Sequence, residues 1–181
     1  MNILVLDGNQ NQAVATVRSL ARVGHTVFAG EAASWSKASW SGACSGTLQY
    51  PSPKKSIDAF LLALVAFVRE KPGTLLLPMT ELTTLPLSAH REQLISAGAQ
   101  LILADHSDLL RAFNKDETTR LAASLGVAIP KTIVITNPDE AVLAAREMRF
   151  PVVLKPQASE ELSADGNLRT AGRPRYARDS V

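Results

Sequence analysis

Cysteine is almost missing from this sequence: Cys44 is the only one among 181 residues. That excludes an internal disulfide and fits a reducing compartment. An excess of either charge is missing too. Nineteen Lys and Arg against 17 Asp and Glu leave a net charge of +2. This is too little to argue for a nucleic-acid or membrane partner. Much of the basic excess is local, at Arg169, Arg173, Arg175 and Arg178. Long hydrophobic runs are absent: the longest apolar stretch, residues 57–68, contains Asp58 and is too short to span a bilayer. Met1 leads straight into a strand-like segment, without the regions of a signal peptide. The expectation is a cytoplasmic protein.

Glycine-rich phosphate loops are lacking as well. Gly8 is followed by Asn9, Gln10, Asn11 and Gln12, so the glycine spacing of a dinucleotide site fails and a nicotinamide-dependent oxidoreductase is disfavoured. No glycine-rich loop runs into Lys-Ser or Lys-Thr, which disfavours a phosphate-loop NTPase. His25, His90 and His106 fall on different elements without metal-ligand spacing. Cys44 has no neighbouring basic cluster and reads as a small buried residue.

What is present is an alternation of short apolar runs with helical patterns. Residues 2–6 read as a buried parallel strand that ends at Asp7-Gly8. Val14, Val17, Leu20 and Ala21 then recur at helical spacing up to Gly24. Further strands are expected at residues 25–29, 47–50, 74–77 and 100–103, and helices at 56–70 and 81–97. This rhythm predicts an α/β fold, a doubly wound parallel sheet of Rossmann-like type. Asp7 reads as the cap of the first helix. Trp35 and Trp40, in a small-residue loop, read as a cover for the sheet end.

Near residue 105 the rhythm changes. Two short helical patterns, at 107–113 and 115–125, precede a strand expected at 132–135. A helix follows that Pro138 should open, then an apolar strand framed by Pro151 and Pro156. Asp165-Gly166 is a hairpin signal in a charged tail with no evident partner strand. An end there would leave an open sheet edge, which a complete domain avoids, so the chain is expected to be a fragment.

Lys115 opens a helix and Lys155 ends an apolar strand. A lysine finishing a buried strand must direct its ammonium to water or to an anion. Two such charges from separate elements could hold a polyphosphate; spacing alone reads equally well as two surface lysines.

Three motifs follow in order: Asn114-Lys115-Asp116, then Leu125-Gly126-Val127-Ala128-Ile129-Pro130-Lys131-Thr132, then Phe150-Pro151-Val152-Val153-Leu154-Lys155-Pro156. This order resembles the ATP-grasp superfamily, most of all its carbamoyl-phosphate-synthase-like and carboxylate–amine ligase branches. The resemblance implies a pre-ATP-grasp domain over residues 1–104 and an incomplete first part of the ATP-grasp module over 105–181. It implies that Lys115 and Lys155 bind the nucleotide, with Ser159 as a candidate phosphate contact. The parent would be a ligase using ATP and Mg²⁺ to activate a small carboxylate as an acyl phosphate, for attack by an amine or similar nucleophile. Homodimerisation is a further expectation. The family's metal ligands and catalytic arginine would lie past Val181, so these residues alone are expected to be inactive. The other reading is a non-catalytic small-ligand-binding or interaction module with a Rossmann-like fold.

Overall fold

In the computed structural model, residues 1–162 and 168–178 are described, so the Asp165-Gly166 hairpin signal lies outside the described residues. The chain divides into two compact units. One comprises Met1–Leu109 with Leu162–Arg169, the other Leu110–Glu161 with Thr170–Val181.

The first unit is an α/β layer structure around a parallel sheet. Its strands β1 (Asn2–Val5), β2 (Thr26–Glu31), β3 (Gly46–Gln49) and β4 (Leu75–Leu77) lie in the order β3-β2-β1-β4. All three neighbouring pairs are parallel. Because successive side chains of a strand point to opposite faces, Ile3 and Val5 enter one core cluster while Leu4 and Leu6 enter another. Helix α1 (Asn11–Arg22) covers the first face with Ala13 and Val17. Helix α2 (Ile57–Glu70) covers the second with Phe60, Leu61, Leu64 and Val68, and is capped by Ser56, which accepts the Ala59 N–H at 3.1 Å. Helices stand on both faces, as a doubly wound sheet requires. The chain crosses from β3 to β4 over β1, so the strand order reverses between β1 and β4.

Two expectations change here. The helix expected over 81–97 is two helices, α3 (Glu81–Ala89) and α4 (Arg91–Ser96). His90, at φ −112° and ψ 30°, ends one and starts the other. The strand expected at 100–103 reduces to a single parallel bridge between Leu75 and Gln100. The Arg91 guanidinium donates to the carbonyls of Leu103 and Ala104, both at 2.7 Å, in place of a sheet neighbour.

Helix α5 (His106–Phe113) leads to the second unit, which holds α6 (Lys115–Ser124), α7 (Pro138–Glu147) and β5 (Val152–Leu154). Short pieces β6 (Glu160–Leu162) and β7 (Leu168–Thr170) pair with each other, and β8 (Arg175–Ala177) pairs antiparallel with β5. The tail thus supplies β5 with a partner, contrary to the sequence expectation. Residues 132–135 form no strand. Pro138 opens α7 as expected, with Asn137 as cap accepting the Glu140 N–H at 2.9 Å.

The two units differ sharply in burial. Among the described residues of the second unit none is buried, and Leu121, Leu125, Val142 and Leu143 are 51–72% exposed. Stability of the first unit rests on fully buried apolar side chains, each contributing about 1.5–3 kcal/mol. Leu64→Ala is therefore expected to lower unfolding free energy by about 2–5 kcal/mol, and Leu143→Ala by about 0.5 kcal/mol or less. Urea unfolding followed by circular dichroism checks this; equal losses would contradict the assignment of the core.

Candidate functional site

In the second unit, α6 begins where Asn114 accepts the N–H groups of Asp116 and Glu117 at 3.0 and 3.1 Å. This cap satisfies two of the donors that a helix start leaves open. A third, the Lys115 N–H, donates to the Gln157 carbonyl at 2.9 Å. The helix start is thereby tied to the segment that leaves β5. From the same residue, the Lys115 ammonium reaches the Ser159 hydroxyl at 3.5 Å. Ser159 is fixed through its own carbonyl, which accepts the Ala171 N–H at 3.0 Å.

The carboxylates next to Lys115 are occupied elsewhere. Asp116 pairs with Arg120 one helical turn on, and Glu117 lies 3.6 Å from Arg111. The half-buried Lys115 ammonium is thus not paired with its acidic neighbours. Lys155 is the first residue past β5 and is exposed, with no side-chain partner among the described residues. Pro156 has no N–H, so it cannot extend the ladder, and the chain turns out of the strand at the lysine. Of the three residues singled out in the sequence, Lys115 and Ser159 meet directly. Lys155 shares with Ser159 the connecting segment 155–159.

In the first unit, polar groups gather at the carboxyl ends of the strands, at the point of order reversal, where open α/β sheets bind ligands. Asp7 is buried, and one carboxylate oxygen accepts three hydrogen bonds. These come from the Met79 N–H at 3.1 Å, the Thr80 hydroxyl at 3.0 Å and the Thr83 hydroxyl at 2.6 Å. Its own N–H donates to the Tyr50 hydroxyl oxygen at 3.1 Å. Burial raises the Asp7 carboxyl above its ordinary value despite these donors, and the nearby Glu31 charge adds to the rise. Glu31 accepts the N–H groups of Asn9 and Ala32 at 2.9 and 2.7 Å.

This network corrects the reading of Asp7 as the cap of the first helix. The N-cap of α1 is Gln10, with no side-chain cap bond, and Asp7 instead holds the start of α3. Its φ of +56° turns the chain away from the direction of β1. Trp35 and Trp40 do not cover the sheet end either: they are 61% and 82% exposed, and Ser36 and Ala38 are buried in their place. Sequence reasoning missed the Gln157 carbonyl and the Thr80–Thr83 pair. The Thr-x-x-Thr spacing at a helix start was the one signal available for the latter.

Residues 106–163 match the ATP-grasp domain family. The match covers about a third of the chain. The matched segment contains Lys115, Lys155 and Ser159. Several solved structures share the fold. L-amino acid ligase from Bacillus licheniformis is 15% identical with a TM-score of 0.62, over 87% of this chain and 37% of that one. N5-carboxyaminoimidazole ribonucleotide synthetase from Thermotoga maritima is 16% identical with a TM-score of 0.54, over 95% and 41%. The biotin carboxylase domain of 2-oxoglutarate carboxylase from Hydrogenobacter thermophilus is 16% identical with a TM-score of 0.57, over 99% and 38%. That domain was solved as a dimer in complex with MgADP, ADP and bicarbonate. The chain spans about two fifths of the length of such structures. No curated protein matches it. Among the described residues no helix is long and apolar enough to cross a membrane.

The Asp7 network has a testable pH signature. A carboxyl whose folded pKa is raised binds more protons folded than unfolded, so its titration lowers stability as pH rises from its unfolded pKa through the folded one. Asp7→Asn keeps an acceptor for the three donors and removes that titration. Its stability relative to wild type should therefore rise as pH climbs above the ordinary carboxylate range. Asp7→Ala leaves the donors without their acceptor and should cost about 1–3 kcal/mol. Urea unfolding across pH reads both; a relative stability of Asp7→Asn that falls with pH would contradict the buried-charge assignment.

Proposed function

We propose that this chain supplies part of the nucleotide site and the first domain of an ATP-dependent ligase that converts a carboxylate to an acyl phosphate for attack by an amine or similar nucleophile. The observation that carries the reading is the meeting of Lys115 and Ser159 within the ATP-grasp segment. In this reading Lys115 and Lys155 hold the phosphates as two ammonium charges, and the Ser159 hydroxyl offers a further hydrogen bond. Carboxylate oxygens are poor nucleophiles toward a polyanion, and cations at the phosphates reduce that repulsion. The acyl phosphate then gives the amine a good leaving group.

The expected Mg²⁺ is a separate matter. Among the described residues no group of three or more His, Cys, Asp or Glu converges to hold a metal ion. Turnover needs transition-state charge stabilisation beyond two lysines, so ATP hydrolysis by these 181 residues alone is expected to stay at background. A phosphate-release assay that found turnover lost in Lys155→Ala would contradict this.

Nucleotide binding is tested by calorimetric titration of ATP into wild type, Lys115→Ala and Lys155→Ala, with thermal midpoints measured alongside. Loss of a charge-assisted hydrogen bond of about 1.5–3 kcal/mol corresponds to about ten- to a hundredfold in affinity. Each variant should lose that much while keeping its thermal midpoint. A folded Lys155→Ala with unchanged ATP affinity would defeat its place in the site.

A further inference from the structure

The chain's two tryptophans, Trp35 and Trp40, stand on the loop between β2 and β3, with ring centroids 6.5 Å apart and ring planes 64° to each other. The loop beneath them is firmly seated. Ser36 and Ser39 exchange hydrogen bonds: the Ser36 N–H donates to the Ser39 hydroxyl at 3.0 Å and the Ser39 N–H to the Ser36 hydroxyl at 3.1 Å. The Ala38 N–H donates to the Gly8 carbonyl at 2.9 Å and the Lys37 N–H to the Asn9 side chain at 3.1 Å. Approach to β1 is so close that a Cβ on Gly8 would lie 2.5 Å from the Ser36 hydroxyl oxygen.

Burial alternates along this loop. Ser36 and Ala38 face inward, while Trp35, Lys37 and Trp40 face outward. The Lys37 ammonium donates to the Asn11 side chain at 3.3 Å, and an ammonium carries three donors. The result is a rigid, outward surface with two apolar rings and one cation, at the edge of the sheet where the β2–β3 connection leaves. Large exposed apolar side chains on a well-ordered surface mark binding sites. Each indole can offer about 150–250 Å², well short of the roughly 800 Å² per partner that a stable protein interface buries. The surface therefore suits a small ligand better than a second copy of the chain, and its charge suits an anion.

We propose that Trp35, Lys37 and Trp40 bind a small organic carboxylate bearing an aromatic or bulky apolar ring, the ring against the indoles and the carboxylate on the Lys37 ammonium. As a statement about which carboxylate the ligase would activate, this rests on the function proposed above; as a statement about binding, it does not.

Because both tryptophans lie on this loop, their emission reports it alone. The experiment titrates 3-phenylpropionate into the full chain without nucleotide and follows tryptophan emission. A saturable change is expected. Propionate, which lacks the ring, and phenethylamine, which lacks the anion, should give none over the same range. Lys37→Gln should weaken binding about tenfold or more while leaving the circular dichroism spectrum unchanged. No saturable change, an equal response to propionate, or full affinity in Lys37→Gln would overturn the proposal. So would emission that shifts with protein concentration alone, which would mean that a second copy covers the rings. Loss of ATP binding in the calorimetric titration would leave this result untouched, so the two readings fail separately.

Discussion

The carboxyl edge of the first unit depends on one buried carboxylate, that of Asp7. Strand β1 is the inner strand between β2 and β4, so wherever it ends, the crevice between β1 and β4 begins. At that end the chain turns through a positive φ, and one Asp7 oxygen gathers the Met79, Thr80 and Thr83 donors. The start of α3 is thus fixed to the end of β1 by a group that burial would prefer neutral. Gly8, directly after it, leaves space for the Ser36 loop to close over the strand end. The tryptophan-bearing surface therefore takes its position from the same short stretch of β1.

Much of this fold can be read from the sequence, for a physical reason. A strand buried on both faces needs a continuous apolar run, and residues 3–6 supply one; a helix on one face needs 3.6-residue spacing, which α2 shows along its length. The misplaced elements are those decided by distant partners. Asp7 reads locally as a cap for the next helix, yet its acceptor role is claimed by residues 72–76 positions away. The apolar run at 100–103 looks like a strand, but the Arg91 guanidinium holds two carbonyls next to it. Residues 132–135 are apolar enough for a strand and gain no sheet neighbour among the described residues. Pairing is a tertiary outcome that local composition does not fix.

The candidate nucleotide residues lie in the unit that supports itself least. Lys115 and Ser159 are held by a helix cap, one backbone tie from Gln157 and one from Ala171, with none of the described residues around them buried. Such a unit is positioned by hydrogen bonds more than by a core, and regions of that kind open at low free-energy cost. Lysine position was legible in the sequence because the motif order singled it out. The Lys115–Ser159 contact was not, because it spans 44 residues.

The central claim is that Lys115 and Lys155 face bound phosphates. An ATP-derived acyl-phosphate probe acylates lysines that lie at a bound polyphosphate, and peptide mass spectrometry then locates the modified residues. The account predicts that Lys115 and Lys155 are labelled ahead of Lys54, Lys55 and Lys131, and that excess ATP suppresses labelling at those two positions alone. Uniform labelling of the lysines, with no protection by ATP at either position, would contradict it.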